Sequence, residues 1–419
     1  MDNTATSPAP KYITPPQNCT GCGLCANVCS KDAIRMVWSK EGFLTPEVDV
    51  NSCINCGACV KACPAQPGHQ QKQHSTALET PSAYGGWHAE EDTHLASSSG
   101  GIFTALADEV FAAGGCVFGV VWANKDTARF SKAENKEELA AMRGSKYTQA
   151  IPGMVYREVR AELKKGRRVL FCGTACQVYA LRQYLRKDYE NLLLVDILCH
   201  GVPSRNLLLG YIREWERQEG KAIERIRFRD KATDWQNYQV TKIFTDGSTI
   251  SHCNKEDVFI RLFIGDLALN QACYACPHAR FPRAGDITLG DFWGNLQHLH
   301  PDWPIRKGIG SLLANTDKGK RILKSLEESG QIHLHPEPVE NLLQGQSTTY
   351  LRQAPVPAKR ESTLKRLNTE PIPRLYRELC QRVQCGPFLI RKNGLIHRAY
   401  NRLRRMKNQL MSRVSRPVP

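Results

Sequence analysis

The chain has 419 residues, 41% of them apolar and 8% aromatic, which is enough for two or three domains with buried cores and excludes a wholly disordered chain. No run of about 18 apolar residues occurs, and Met1 to Pro16 is polar and proline-rich, so the expectation is a cytoplasmic protein without a secretory segment. The net charge of +16 is uneven: from Arg352 onward there are 17 Lys and Arg against three acidic residues, leaving 40 basic and 38 acidic side chains elsewhere. Most of the 17 cysteines sit at metal-ligand spacings, which suits a reducing compartment better than a disulfide framework.

In chain order, the first feature is a duplicated cysteine motif. Cys19-Thr20-Gly21-Cys22-Gly23-Leu24-Cys25 runs on to Cys29, and Cys53-Ile54-Asn55-Cys56-Gly57-Ala58-Cys59 runs on to Cys63-Pro64; each copy reads C-x2-C-x2-C-x3-C. Three thiolates on one tight loop reach three irons of a cubane, and the fourth ligates the neighbouring cluster. That rule gives one [4Fe-4S] cluster to Cys19, Cys22, Cys25 and Cys63 and a second to Cys53, Cys56, Cys59 and Cys29. Gly21, Gly23 and Gly57 suit a backbone that wraps closely around sulfur. Ser30 stands where proline ends the second copy, a change at the turn and not at a ligand. A pair of zinc sites is the alternative, and eight cysteines in two identical spacings favour the cubanes. Between the copies, Ala33 to Trp38 and Phe43 to Val48 predict a hairpin turning at Lys40-Glu41-Gly42. Residues 1–70 thus read as a 2[4Fe-4S] ferredoxin-like domain. A linker rich in Gln, His and Ser follows from Ala65 to Pro81, and its His69 and His74 are read as solvated.

Beyond the linker, Ser97-Ser98-Ser99-Gly100-Gly101 precedes an amphipathic helix from Ile102 to Ala113, closed by Gly114-Gly115. A Ser/Gly turn at a helix start offers free amides to a phosphate, and by itself it is equally an ordinary cap. A strand at Cys116 to Trp122, a helix at Pro152 to Lys165, a strand at Arg168 to Cys172, a helix at Ala175 to Arg186 and a strand at Leu192 to Leu198 come next. This alternation predicts an α/β domain, placed at residues 82–345. The last two strands run into Gly173-Thr174-Ala175-Cys176-Gln177 and Cys199-His200-Gly201-Val202-Pro203-Ser204. Ligands of open α/β sheets sit beyond the carboxyl ends of strands, so both turns can face one site. Phe228-Arg229-Asp230-Lys231, Cys273-Tyr274-Ala275-Cys276-Pro277 and Gly290-Asp291-Phe292-Trp293-Gly294 follow, and spacing alone does not connect them.

Taken in order, with Gly144-Ser145-Lys146-Tyr147 among them, these motifs resemble the beta-subunit family of coenzyme F-420 hydrogenases and dehydrogenases over roughly Tyr84 to Gly330. Related reductases act in sulfite-reducing electron chains and on chlorophyll intermediates, and some bacterial members are associated with polysaccharide biosynthesis. The resemblance implies FAD and a third [4Fe-4S] cluster, the latter on Cys176, Cys199, Cys273 and Cys276; Ala175 stands where many relatives have proline. A zinc half-site at Cys273 and Cys276 remains the other reading of that pair. For the flavin, the resemblance implies Ser99, Gly100 and Gly101 at a phosphate or ring edge, Ser145 and Lys146 as donors and positive charge, and Gly173, Thr174 and Gln177 along the isoalloxazine. Asp291 and Trp293 join that site, or Trp293 simply packs. His200 is either an acid–base group or a hydrogen-bond donor to cluster sulfur. Cys116, Cys172, Cys253, Cys380 and Cys385 match no shared motif and read as core or surface residues.

Residues 355–419 read as a basic helical tail behind the proline-rich Ala354 to Pro357 and Pro371 to Pro373. Its stretch Phe388 to Val414 has the amphipathic pattern of a helix lying on an anionic membrane at the inner face. No recognition module accompanies this charge, so nucleic acid is not an expected partner. The fold class is therefore mixed: a dicluster ferredoxin-like α+β domain, a larger α/β flavin domain and a helical tail. Clusters carry one electron and organic substrates take two, so the leading expectation is an iron–sulfur flavoprotein oxidoreductase. It would take electrons from a ferredoxin-like donor and pass them through FAD to a deazaflavin or other small molecule, or run in reverse. The alternative is an electron-transfer subunit of a larger hydrogenase or dehydrogenase, with no substrate chemistry of its own.

Overall fold

The computed structural model describes residues 13–66, 77–294, 296–344 and 351–379. His69, His74, Cys380, Cys385 and the stretch Phe388 to Val414 lie outside the described residues.

The N-terminal module consists of two short helices, α1 (Leu24–Val28) and α2 (Ala58–Ala62), and the hairpin β1 (Ile34–Trp38) with β2 (Leu44–Val48). The hairpin pairs antiparallel from Ile34 opposite Val48 to Trp38 opposite Leu44, as the sequence predicts. Each helix follows a glycine in the left-handed region, Gly23 and Gly57, so the two copies of the motif share one local geometry.

The body is built on a nine-stranded sheet. Its order is β14 (Ile332–Glu337), β3 (Ala77–His88), β13 (Gly310–Thr316), β12 (Ile287–Asp291), β8 (Leu192–Ile197), β7 (Val169–Thr174), β4 (Cys116–Asn124), β5 (Thr127–Ala133) and β6 (Ala150–Ile151). The four central strands β12, β8, β7 and β4 are parallel, and antiparallel strands extend both flanks. Alternate residues of one strand feed two cores. Phe171 of β7 packs with Tyr156 and Val159 of α6 (Val155–Lys164) and Val178 and Leu181 of α7 (Ala175–Leu185). Its neighbour Leu170 packs on the other side with Ala105 and Leu106 of α4 (Ile102–Ala112) and with Leu323 and Leu326 of the helix Asp317–Glu328. A sheet buried on both faces needs continuous apolar strands, which is why Val169-Leu170-Phe171 and Leu192-Leu193-Leu194-Val195 are unbroken runs.

A second, three-stranded antiparallel sheet, β9 (Ile223–Asp230), β10 (Gln239–Phe244) and β11 (Thr249–Cys253), lies outside the α/β alternation. It shares a core with α8 (Arg205–Glu219) and α9 (Val258–Ile264). Leu364, Leu367, Ile372 and Leu375 are buried in that same core, so the chain after Pro357 returns to the body before any tail begins.

The ferredoxin module is pinned to the body by hydrogen bonds to its backbone. Gln149 accepts from Leu44 N (2.8 Å) and donates to Thr20 O (3.0 Å). Tyr156 donates its hydroxyl to Cys22 O (2.6 Å), Asn27 reaches Gly153 O (2.9 Å), and Asn270 reaches Cys19 O (3.1 Å). Arg157 donates to Ala26, Asn27 and Cys29 carbonyls and pairs with Asp32 (2.7 Å). Gly21 permits the approach: a Cβ there would lie 2.0 Å from Gln149 Nε2. Gln149→Ala, which strands the buried Leu44 amide, should cost about 1–3 kcal/mol in anaerobic thermal unfolding.

Candidate metal and cofactor site

The first predicted cysteine set comes together in full, and three members of the second, Cys29, Cys53 and Cys59, are neighbours. Cys19, Cys22, Cys25 and Cys63 line one small void of about 40 Å³. Burial pushes the Cys19 thiol up to about 12, with Cys22 and Cys63 adding to it, and burial with the charges of Cys22, Cys19 and Cys63 lifts Cys25 well above the thiol range. Cys59 is raised by burial and by the nearby Cys29 and Cys53. Thiols that oppose one another's ionisation in this way suit a set neutralised by iron, because a bound cation reverses the penalty.

The four cysteines assigned by resemblance to a third cluster are also neighbours, although they come from three separate segments. Cys176 is lifted by burial and by Cys276, Cys199 and Cys22; Cys273 is raised by burial, Cys199 and Cys276. Cys176 opens α7, Cys199 follows β8, and Cys273 closes a short 3-10 turn from Gln271. Thr174 Oγ1 lies 3.1 Å from Cys176 Sγ. Among the described residues no group of three His, Cys, Asp or Glu side chains is placed to hold a single metal ion. A cubane asks instead for sulfurs spread over its corners. Because Cys22 and Cys176 sense each other, the first and third sets adjoin across the seam filled by Tyr156, itself fully buried beside Cys22, Cys176 and Cys25.

Beyond the carboxyl ends of β7, β8 and β12 opens a cavity of about 920 Å³, within the range of about 300–1,000 Å³ usual for cofactor and ligand sites. Cys176 and Cys199 form part of its wall. So do Ser99, Gly100, Gly101, Ser145, Lys146, Gly173, Thr174, Gln177, His200, Asp291 and Trp293, every residue expected in the flavin site. Their local bonds refine what each offers. The Ser99 hydroxyl donates to Ile309 O (2.9 Å), and a Cβ on Gly100 would fall 2.3 Å from Gly86 O, so this turn is held by strands β3 and β13. Gly101, at φ +83°, starts α4 without a side-chain cap, leaving the amides of its first turn facing the cavity. Lys146 donates to the carbonyls of Ala141, Met142, Arg143 and Gly144 after α5 (Lys136–Ala140), so it has no spare donor, and burial pulls its pKa down to about 7. Gln177 and Thr174 form a capping box on α7.

Asp291 does not face the cavity alone. It is clamped by Arg229 in a two-pronged pair (2.8 and 2.9 Å), with Trp235 Nε1 at 3.3 Å. Burial works against the Arg229 cation, and the Asp291 carboxylate more than restores it, holding its pKa above the usual arginine value. The guanidinium also lies over Tyr238 (4.3 Å) and Trp293 (5.2 Å), and Trp293 stacks on Trp235 at 4.5 Å and 4°. Trp293 therefore both packs and lines the cavity. Lys231 holds the Ser-Gly turn from behind, donating to Ser99 O (2.7 Å), His94 O (2.8 Å) and Lys307 O (2.5 Å). Arg229 and Lys231 carry no role in the sequence reading; the signal present was their place in the Phe228-Arg229-Asp230-Lys231 motif.

His200 Nε2 lies 2.8 Å from Asp266 Oδ1, and Asp266 is also paired with the buried Arg352 (2.7 Å). The His200 contact is a close charge contact and not a well-aligned hydrogen bond. Burial would raise the Asp266 carboxyl, and its two cationic neighbours hold it below the usual range. Of the remaining cysteines, Cys116 is buried in the core and Cys172 lies in the cavity wall.

Residues 166–340 match the C-terminal part, and residues 83–155 the N-terminal part, of "Coenzyme F420 hydrogenase/dehydrogenase, beta subunit". The chain belongs to that family. Residues 18–66 match a 4Fe-4S dicluster domain, so this F420 hydrogenase/dehydrogenase-type beta subunit is an iron–sulfur electron-transfer protein. Among solved structures, one similar chain comes from the F420-reducing [NiFe] hydrogenase complex of Methanosarcina barkeri. It is 15% identical, with 70% of this chain and 92% of that chain covered and a TM-score of 0.46. No curated protein matches. No helix among the described residues is long and apolar enough to cross a membrane.

One pH response follows from the turn's support. His94 of α3 (Glu91–Ala96) is buried and donates Nε2–H to Gly308 O (2.5 Å), and burial pulls its pKa down to about 4 from 6.5. The unfolded chain then binds the extra proton first, so this contribution to stability is complete above 6.5 and is lost as pH falls toward 4. His94→Gln should flatten that part of the melting-temperature profile between pH 6.5 and 4.5, measured against wild type in the same buffers.

Proposed function

We propose that this chain is the electron-transfer subunit of a hydrogenase- or dehydrogenase-type assembly, with three [4Fe-4S] clusters leading to an FAD in the cavity. The observation that carries the reading is that Cys176 and Cys199 belong at once to a four-cysteine group and to the cavity wall. A flavin bound there supplies the junction between one-electron and two-electron chemistry.

The chain's own residues fit such a group. The uncapped first turn of α4 and the cations Arg143 and Arg229 in the wall suit a phosphate-bearing ligand, and Trp293 and Tyr238 give flat apolar surfaces for a ring. Lys231 and the Arg229–Asp291 pair fix the turn and the wall, so the site is formed before a ligand arrives. Thr174, beside Cys176 Sγ, can donate a hydrogen bond to a ligating sulfur and raise that cluster's potential.

A second reading, in which the chain also transforms a small organic substrate, draws on His200. The imidazole lines the cavity, neighbours Cys199 in sequence and has the Asp266 carboxylate 2.8 Å from Nε2, a partner that orients the ring. The deazaflavin named by the family is the first substrate to try. A role in polysaccharide biosynthesis would need a different acceptor.

Iron, acid-labile sulfide and flavin per chain, measured on protein purified without oxygen, test the proposal. About 12 iron with one FAD is expected, and Cys273→Ser should remove about four iron while leaving the dicluster signals in place. About eight iron without flavin, even after adding FAD, would overturn it. His200→Gln that keeps cluster and flavin reduction but abolishes deazaflavin turnover would establish the second reading.

A further inference from the structure

The two clusters of the N-terminal module sit in opposite surroundings. The first cysteine loop faces the body, where the carbonyls of Cys19, Thr20 and Cys22 accept from Asn270, Gln149 and Tyr156. The second loop faces outward. No residue of α2 is buried, and Cys56 is the one exposed cysteine among the described residues. Its loop also carries the two most exposed large hydrophobic side chains of the described chain, Val50 at 65% and Ile54 at 58%.

These side chains are held in place. Asp49 accepts from Asn51 N (3.0 Å) and Ser52 Oγ (2.7 Å), and Cys53 N donates back to Asp49 O (3.0 Å), which closes the turn that lifts Val50 outward. Asn55 sits at φ +54° between Ile54 and Cys56. A rigid apolar rim around an exposed cluster ligand has a cost in water, and neither residue packs in any core of the described chain.

We infer that Val50 and Ile54 form a docking rim for a small one-electron carrier protein that exchanges electrons with the outer cluster at Cys56. The occupant follows from the redox group at the centre of the patch: a partner that only bound here would gain nothing from an exposed cluster ligand, whereas a carrier must bring its own centre close to it. Two exposed apolar side chains beside one exposed cysteine make a small contact, which suits an exchangeable partner, because electron-transfer encounters sit below about 1,200 Å² of buried surface and stable subunit contacts well above it. The exposed charges beside the rim, Asp49 and Lys61, cancel, so apolar contact and not long-range steering sets recognition. This inference rests on the reading that Cys29, Cys53, Cys56 and Cys59 hold a cluster, and it is independent of the flavin.

The test compares two reductants on the anaerobic full-length protein: a reduced [2Fe-2S] ferredoxin as the carrier probe and reduced methyl viologen as a small-molecule control. Cluster reduction is followed by freeze-quench EPR, which reads the clusters whether or not FAD is present. Val50→Ser with Ile54→Ser should slow reduction by the ferredoxin roughly tenfold, the effect of losing two partly buried apolar contacts, with the viologen rate and iron content unchanged. An unchanged ferredoxin rate overturns the proposal, and so does a wild-type protein that accepts electrons from viologen but not from the ferredoxin. Should the double variant lose iron, Ile54→Gln alone decides: it must slow the ferredoxin and spare viologen, and equal rates overturn the proposal. Absence of iron in the wild-type protein would instead show as failure of the cluster reading, before any rate is measured.

Discussion

A polypeptide loop around a cubane turns its amides inward toward sulfur, and this constraint shapes the whole N-terminal half of the molecule. Gly21 N already points at Cys19 Sγ (3.4 Å), and backbone amides of Leu24 and Ala26 face Cys22 and Cys25. The carbonyls of the same loop must then point out, and buried carbonyls need donors. The body supplies them from Gln149, from Tyr156 and Arg157 of α6, and from Asn270. The docking is thus a consequence of ligand geometry. It also sets Cys22 beside Cys176, because Tyr156, whose hydroxyl meets Cys22 O, stands in the same core as the start of α7.

The cavity is stiffened by the same means. Lys146 and Lys231 are surrounded by carbonyl oxygens from loops that would otherwise be free to move, and Arg229 is locked to Asp291 across two sheets, since β9 belongs to the small sheet and β12 to the large one. Removing one partner of a pair this buried leaves a charge without compensation, so the small antiparallel sheet is part of the site and not an appendage. The sheet's core in turn includes Leu364, Leu367, Ile372 and Leu375, which explains why the chain after Pro357 is held against the body.

Local signals made much of this legible. The hairpin at Lys40-Glu41-Gly42, the helix and strand from Ile102 to Trp122 and the alternation from Pro152 to Leu198 can be read in advance because each has its own pattern, with bounds that differ at frayed ends, as where α6 begins at Val155 and not at Pro152; β5, α5 and β6, which lie between, carry no expectation in the sequence reading. The pairing of β3 with β13 and β14 is not legible, since it joins residues more than 200 positions apart and neither partner has a distinctive composition. Arg229 escaped for another reason. Period-two alternation through Arg225, Arg227 and Arg229 predicts one solvent-facing row, yet Arg229 is buried with Phe228 beside it, because Asp291 from a distant strand compensates its charge. The third cysteine set likewise rests on family resemblance, not on spacing: its members are drawn from three segments, and only the fold brings them together.

The order of these parts along one line constrains function more than any single residue does. The second cysteine loop is exposed, the first is pressed against the body, the third set adjoins the first through Cys22 and Cys176, and the cavity shares Cys176 and Cys199 with the third. Each set thus has a neighbour on either side. Cysteine sets that only braced the fold would have no reason to lie one at the surface and another in the wall of a cavity. The interlocked motif also prevents the first two sets from being separated, because Cys29 and Cys63 each lie on the loop of one set and belong to the other. The path from surface to cavity is therefore fixed by covalent connectivity within the module and by carbonyl hydrogen bonding at its seam.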